Sequence, residues 1–257
     1  MDAFQIKLAL SFLVGGAYIA FTIWLSERFG SKIGGIAIGL PSTTLVSFIF
    51  IAWTANLQAA VDAVPITPLA SGACVLFVAA FVHFFYLGRK SSLAIALAVW
   101  AALTFPFAMM GAGNIFLSLA IAAVFFAVSM RYLGRFQHRK LPPNRLSGGE
   151  FLFRAAFAGA VVATAVFLAH ALGPIWGGLF AVFPAAYSST LLLLSKKHGL
   201  DFTASVAANM PYGSIANVVF EVSFYLLALP LGLWGGIAAA YALALVAAVV
   251  IYKKAMG

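Results

Sequence analysis

Nine apolar stretches dominate this chain and decide what it can fold into. Each has about the 20 residues that an α-helix needs to cross the hydrocarbon core of a bilayer. The stretches are 6–25, 33–54, 68–87, 91–110, 115–132, 152–172, 175–195, 212–229 and 231–252. The sequence therefore predicts an all-α polytopic membrane protein with nine transmembrane helices.

The composition leaves little chain for anything outside the membrane. Of 257 residues, 64% are hydrophobic and 8% are charged, against about 25% charged residues in an ordinary globular domain. A separate soluble domain of about 100 residues or more is therefore not expected. The stretch 6–25 has neither a basic leader nor an Ala-x-Ala cleavage site, so we expect a retained span of a cell inner-membrane protein. The lone Cys74 lies in an apolar run, which excludes an intrachain disulfide and a thiol metal cluster.

The basic residues predict an orientation. Lys and Arg are retained on the cytoplasmic side of a membrane, and the loop RYLGRFQHRKLPPNRLSGGE (131–150) is rich in both. If that loop is inside, every one of the 15 Lys and Arg residues except Lys7 falls inside in a nine-span arrangement. One missed or invented span would move later clusters to the opposite face. The N-terminus is therefore predicted outside and the C-terminus inside.

The same distribution accounts for the net charge of +9. A basic chain can bind nucleic acid or acidic partners, but here the charge follows topology, and we expect no nucleic-acid partner. Membrane lipid with anionic headgroups is the partner that the cluster at 131–145 would contact.

Two parts of the sequence are similar to each other. Residues 29–44, FGSKIGGIAIGLPSTT, align with residues 172–187, LGPIWGGLFAVFPAAY, at a constant offset of 143. The matched residues are Gly30, Gly34, Gly35 and Pro41 with Gly173, Gly177, Gly178 and Pro184. Further along, 59–72 resembles 204–217, with Pro65 opposite Pro211 after a three-residue gap. Spans one to four thus correspond to spans six to nine.

The unpaired fifth span determines how the two halves are related. Four helices return a chain to its starting side, so one extra helix makes the second half enter from the opposite face. We therefore predict a 4+1+4 inverted repeat, with a first unit at 1–110, a linking helix and basic loop at 111–150, and an inverted second unit at 151–257. Inverted repeats with broken helices are typical of secondary transporters, whose site lies near the midplane between the repeats.

The glycine-rich stretch also resembles a known family. RFGSKIGGIAIGLP (Arg28–Pro41), and more loosely ALGPIWGGLFAVFP (Ala171–Pro184), is similar to the signature of small four-helix bacterial membrane proteins of unknown function that carry Arg-Phe-Gly…Gly-Gly…Phe-Pro. The first half has Leu40 where the pattern has Phe, and the second half lacks the Arg-Phe pair. The resemblance covers each half once and implies a fused form of a protein that dimerises antiparallel. It implies no activity.

Prolines interrupt spans two and seven at matched positions. Pro clashes with the preceding turn but suits the first position of a new helix, so half-helices are expected to begin at Pro41 and Pro184. Their N-termini would face one another near the membrane centre and favour an anion. Hydroxyls that could bind a substrate oxygen or a sodium ion follow both prolines: Ser42, Thr43, Thr44, Tyr187, Ser188, Ser189 and Thr190. The alternative is two kinks whose serines bond to their own helices.

Glu221 is the one carboxylate deep in a predicted span, where an ionisable group is costly and suggests function. Ser214, Asn217 and Glu221 share one helical face, and the repeat places Ser71 opposite Asn217 and Val75 opposite Glu221. We expect Glu221 to carry a proton or cation, with a structural carboxylate as the alternative.

Other polar residues near span ends are weaker candidates. Asp62 and Asn209 precede the second proline pair on opposite faces and are candidate gates, although each could be a helix cap. His83 and His170 could transfer protons or simply pack at the interface. No metal-ligand spacing and no catalytic set is present in the sequence, so no metal site, resident cofactor or enzyme activity is predicted.

Together these features predict a secondary transporter, or permease, that moves a small anionic solute by alternating access, with a proton or sodium ion as the coupling ion. The alternative is a passive channel that uses the half-helix ends as a filter. A lipid-handling or intramembrane enzyme is a third class, for which the sequence offers no catalytic residues. Small-residue faces such as Gly111 to Gly113 and Gly232 to Gly236 leave a homodimer open.

Overall fold

The computed structural model describes residues 2–28, 41–111, 113–136 and 147–256, and all regular structure in these ranges is helical. The α-helices are α1 (Ala3–Arg28), α2 (Thr43–Thr54), α3 (Leu57–Asp62), α4 (Thr67–His83), α5 (Arg89–Met109), α6 (Ile115–Leu133), α7 (Gly148–Leu172), α8 (Pro174–Ala181), α9 (Ala185–Ala207) and α10 (Met210–Met256). Two short 3₁₀ helices cover Val64–Ile66 and Phe85–Leu87. Seven helical segments of the described residues are long and apolar enough to cross a membrane, which agrees with the predicted all-α, multi-pass membrane class.

Several helices begin, end or divide where the sequence places proline or glycine. Helix α2 begins at Thr43, two residues after Pro41. Helix α8 ends at Ala181, and Pro184 precedes the first residue of α9. Within α10, Gly232 has a non-helical backbone with φ 73° and ψ 173° and divides the helix into two legs. Because L-residues rarely adopt a positive φ, glycine is required at this division.

The segment between predicted spans two and three is helical and largely buried rather than a surface loop. The Asn56 side chain caps α3 by accepting a hydrogen bond from the Ala59 N–H at 2.9 Å. The 3₁₀ helix Val64–Ile66 is fully buried, and the unit Leu57–His83 is long enough to cross a membrane. The hydropathy pattern missed it because Asp62 interrupts the apolar run.

Helix α4 forms the centre of the bundle. Nearly all of its residues are buried, and it packs against α5, α6, α9 and α10. A helix that is apolar on all sides is expected inside a bundle rather than at its surface. The few polar side chains of α4 therefore meet other protein groups and not lipid.

Close backbone contacts hold the helices around this centre. A Cβ at Gly159 of α7 would lie 2.4 Å from the Phe12 carbonyl oxygen of α1. A Cβ at Gly178 of α8 would lie 1.8 Å from the carbonyl oxygen of Ala63, at the junction of α3 with the 3₁₀ helix. Glycine at these positions lets backbones approach more closely than any side chain would allow.

Two predicted features lie outside the described residues. The glycine-rich stretch from Phe29 to Leu40, with Gly30, Gly34 and Gly35, is one. Residues 137–146 of the basic loop, which carry most of the lipid-contact prediction, are the other. Both remain predictions.

The Gly178 contact yields a stability prediction. Gly178→Ala forces α8 away from the Ala63 carbonyl, and we expect a loss of about 3 kcal/mol, at the upper end of the range for overpacked sites. The melting temperature of the purified protein in detergent measures the effect. Gly149→Ala is the matched control, because a Cβ at Gly149 meets nothing within 4 Å. Equal melting temperatures for the two variants would contradict the packing.

Candidate functional site

Glu221 lies in the first leg of α10 and is completely buried. Its Oε1 accepts hydrogen bonds from the Ser71 hydroxyl at 2.8 Å and from the Asn217 amide nitrogen at 2.7 Å. The same amide nitrogen also lies 3.1 Å from the Ser71 oxygen, to which it donates. Three polar side chains from α4 and α10 thus form a closed triangle in the apolar core.

Two acceptor atoms of this triangle have no partner. Glu221 Oε2 and Asn217 Oδ1 are both buried and accept no hydrogen bond. No Lys, Arg or His of the described ranges lies within 4.0 Å of the Glu221 carboxylate. The ion pair between Lys197 and Glu150 does not involve this site. Because a buried acceptor without a donor costs free energy, these atoms are suited to receive a proton or a cation.

Two further contacts connect the triangle to the helix break at Pro184. The Cys74 thiol, one turn after Ser71 on α4, donates to the Val182 carbonyl at 3.0 Å. The Tyr187 hydroxyl, in the first turn of α9, bonds to the Ser214 hydroxyl of α10. We define the polar cluster as these side chains together with the triangle: Ser71, Cys74, Tyr187, Ser214, Asn217 and Glu221.

The break itself contains one hydroxyl with no bond. Ser188, in the first turn of α9, is 4% exposed, and its Oγ has no hydrogen-bond partner. Its neighbour Ser189 donates to the Ala186 carbonyl of its own helix at 3.1 Å. A free hydroxyl at the N-terminal end of a helix, where the helix dipole favours negative charge, can donate to a small anion.

The start of α2, after Pro41, lies close to the Pro184 break. Pro41 is buried, Ser42 and Thr43 are half-buried, and the Thr44 hydroxyl donates to the Ala181 carbonyl at 3.5 Å. The first turn of α2 therefore contacts the C-terminal end of α8. One turn later, the buried Ser47 Oγ has no hydrogen-bond partner.

Other predicted site residues lie outside the polar cluster. The Thr190 hydroxyl is bonded by the Arg154 guanidinium of α7. Asp62 accepts from Gln58 within α3 at 2.8 Å, and Asn209 donates to the Ser205 carbonyl one turn earlier at 3.3 Å. Asp62 and Asn209 thus have local partners, as helix-end residues commonly do.

Arg154 and Trp100 were missed as site neighbours by sequence reasoning. The basic-residue pattern assigns Arg154 to the cytoplasmic side, and its position inside the predicted span 152–172 is the signal that it has a partner within the bundle. Trp100 lies in an apolar run and packs edge-on against Phe183, with ring centroids 5.2 Å apart, directly before Pro184. Its side chain is 2% exposed and therefore lies in the core. Hydropathy does not distinguish a core aromatic residue from a lipid-facing one.

No protein-family profile, curated protein or solved structure matches the chain. Within the described ranges, no group of three or more His, Cys, Asp or Glu side chains could hold a metal ion. Among the described residues, the chemistry available is that of the polar cluster, the Pro184 break and the start of α2: buried hydroxyls, one amide, one thiol and one carboxyl group.

The triangle predicts an energetic difference between two hydroxyl deletions. Ser71→Ala removes a buried donor to Glu221 and an acceptor for Asn217, and we expect the free energy of unfolding to fall by about 1–3 kcal/mol. Thr164→Ala is the control, because the exposed Thr164 hydroxyl donates only to the Ala160 carbonyl of its own helix. Denaturation in mixed micelles measures both. A cost for Ser71→Ala no larger than that of the control would show that the triangle does not stabilise the bundle.

Proposed function

We propose that the protein is an inner-membrane secondary transporter built as a 4+1+4 inverted repeat, a fused double copy of the small four-helix proteins that it resembles. It would move a small anionic solute by alternating access. One observation carries the proposal. Residues at equivalent positions of the two repeats are in contact with each other, and one such pair lies in the polar cluster beside the buried carboxylate Glu221.

The first equivalent pair lies between α1 and α7. Gly16 and Gly159 are separated by the repeat offset of 143, and a Cβ at Gly159 would lie 3.3 Å from the Gly16 nitrogen. The neighbouring contacts are reciprocal. Gly159 approaches the Phe12 carbonyl while Gly16 approaches the carbonyl of Ala155, the equivalent of Phe12. Such reciprocity is the property of a two-fold interface.

The second equivalent pair is Ser71 and Asn217, which are hydrogen-bonded to each other at 3.1 Å. A pseudo-two-fold axis that relates the halves would pass between them and beside Glu221. In transporters made of inverted repeats, substrate and coupling-ion sites lie at such an interface. The pair supports placing the site at the polar cluster.

Contacts between helix ends support nine spans. In that arrangement the Lys7 and Trp53 ends are outside, and the Lys7 ammonium donates to the Trp53 carbonyl at 2.7 Å. The Glu150 and Lys197 ends are inside, and these residues form an ion pair at 2.7 Å. Each leg of α10 has about the length of one span. Lys7, the one basic residue predicted outside, is held by the carbonyl end of α2, which favours a cation.

The anionic substrate is inferred from the donors at the breaks. The unpartnered Ser188 hydroxyl lies in the first turn of α9, close to the positive end of the helix dipole. Ser47 offers a second buried hydroxyl in α2. Glu221, with its free acceptor oxygen, would take the coupling cation, a proton or a sodium ion, so that charge is balanced within one site. Asp62 and Asn209 stay proposed as gates at opposite faces.

Orientation is tested by single-cysteine labelling in a Cys74→Ala background. Gln58→Cys and His198→Cys place thiols at exposed positions, on the corresponding connections between predicted spans two and three and between predicted spans seven and eight. We expect a membrane-impermeant maleimide to label Gln58→Cys from outside intact cells and His198→Cys only in inside-out vesicles. Labelling of both from the same side would refute the inverted repeat.

Transport is tested with proteoliposomes on a solid-supported membrane, using concentration jumps of formate, acetate, phosphate and sulfate. We expect saturable transient currents or uptake with at least one of these anions. Ser188→Ala should weaken its apparent affinity about ten- to a hundredfold, since a hydrogen bond to a charged group contributes about 1.5–3 kcal/mol.

Ser189→Ala is the matched control for Ser188→Ala, because its hydroxyl is already bonded within its own helix; its affinity should equal that of the wild type. Ohmic conductance in a planar bilayer would instead make the protein a channel. Equal effects of the two substitutions would remove Ser188 from the site.

A further inference from the structure

We infer that the ion taken up by Glu221 is a proton and not sodium, and that Cys74 and Tyr187 connect the protonation of this carboxylate to the Pro184 break. This inference rests on the proposed transport function for its role, but the proton site can be measured without any transported solute.

The available oxygens distinguish the two ions. A metal cation held by oxygen needs several ligands at once, and transporters commonly supply them from unwound backbone. Glu221 and Asn217 instead lie in the continuous first leg of α10, and Ser71 lies in the continuous helix α4. Backbone carbonyls in these stretches are engaged in helical hydrogen bonds. Among the described residues, the two oxygens of the triangle that have no hydrogen bond are Glu221 Oε2 and Asn217 Oδ1, fewer than an oxygen-ligated cation takes.

A proton needs much less from the site. It forms one O–H bond at Glu221 Oε2, the unpartnered oxygen, and then requires one acceptor. Asn217 Oδ1 is buried and free to accept. Thr67, beside Glu221 on α4, already donates its own hydrogen to the Val64 carbonyl at 2.8 Å, so its oxygen can also accept. Protonation therefore completes the hydrogen bonding of the triangle.

No charged side chain on the described helices that pack against the first leg of α10 faces Glu221. The titratable groups that face Glu221 are Cys74 from α4 and Tyr187 from α9. Helix α2 contains no titratable residue, and the only one of α3, Asp62, is exposed and bonded to Gln58. Among the described residues, an ionised Glu221 would thus be a buried charge without a counter-ion, which is costly. Uptake of a proton from one aqueous face removes that charge during part of the cycle, and release of the proton to the other face restores it.

The contacts around Glu221 reach the Pro184 break by two routes. Ser71 and Cys74 share a face of α4, and the Cys74 thiol bonds to the Val182 carbonyl immediately before the break. On α10, Ser214 lies on the same face as Glu221 and bonds to Tyr187 immediately after the break. A change in the hydrogen bonds that Ser71 and Asn217 give to the carboxylate is therefore transmitted to both sides of Pro184.

The chain supplies its own reporter for this link, because Cys74 is its only cysteine. The S–H stretching band in an infrared spectrum of the purified protein then comes from one thiol, bonded to the break. We expect a pH titration in lipid to remove a buried carboxylic C=O band as pH rises and to shift the S–H band in parallel. Glu221→Gln should abolish both changes, while exchange of potassium for sodium at fixed pH should produce neither.

Two variants keep the test decisive. Glu150→Gln changes a carboxylate bonded to Lys197 and should leave both infrared changes in place. If Glu221→Gln does not fold, Asn217→Ala should shift the frequency of the carboxylic band, because a hydrogen bond to that group is lost. Removal of the band by sodium at fixed pH, or its unchanged frequency in Asn217→Ala, would overturn the proton site. An intact titration with no transport of any anion would overturn the proposed function alone.

Discussion

A backbone that leaves the helical conformation inside a membrane-embedded bundle must find hydrogen-bond partners, because lipid supplies none. At the Pro184 break the carbonyls of Ala181 and Val182 meet this requirement through side chains from the first half of the chain. Thr44 of α2 donates to Ala181, and Cys74 of α4 donates to Val182. The break is therefore satisfied by the bundle around it, and its geometry depends on where α2 and α4 are held.

Glycine makes that placement possible. The Gly178 backbone lies against the Ala63 carbonyl and fixes α8 relative to the segment that leads into α4. Since α4 carries both Ser71 and Cys74, its position simultaneously determines the bonds to Glu221 and to Val182. Packing between backbones thus sets the geometry of polar groups that are far apart in sequence, and a shift of α4 would alter both contacts.

The sequence revealed the parts of this arrangement that depend on local pattern. Long apolar runs can be recognised in the sequence without knowing which helices pack together. The i, i+3 and i+7 spacing of Ser214, Asn217 and Glu221 predicts that they share one helical face, and the structure has all three on one helix. Ser71 and Asn217, which the alignment of the two halves places opposite each other, are hydrogen-bonded. The helical segment α3 and the roles of Cys74 and Arg154 were not predictable in this way. They depend on which helices are neighbours and at what register, and hydropathy carries no such information.

In the proposed inverted repeat, the difference between the two halves at the centre would have a physical reason. The repeat places Val75 where the second half has Glu221, and both side chains are completely buried. A symmetric pair of carboxylates near the pseudo-axis would put two like charges in one apolar site, and one of them would be forced to remain neutral. A single carboxylate avoids that repulsion and still provides one exchangeable charge. Under the proposed transport function, duplication followed by loss of symmetry at this position would fit a site that handles one cation in each cycle.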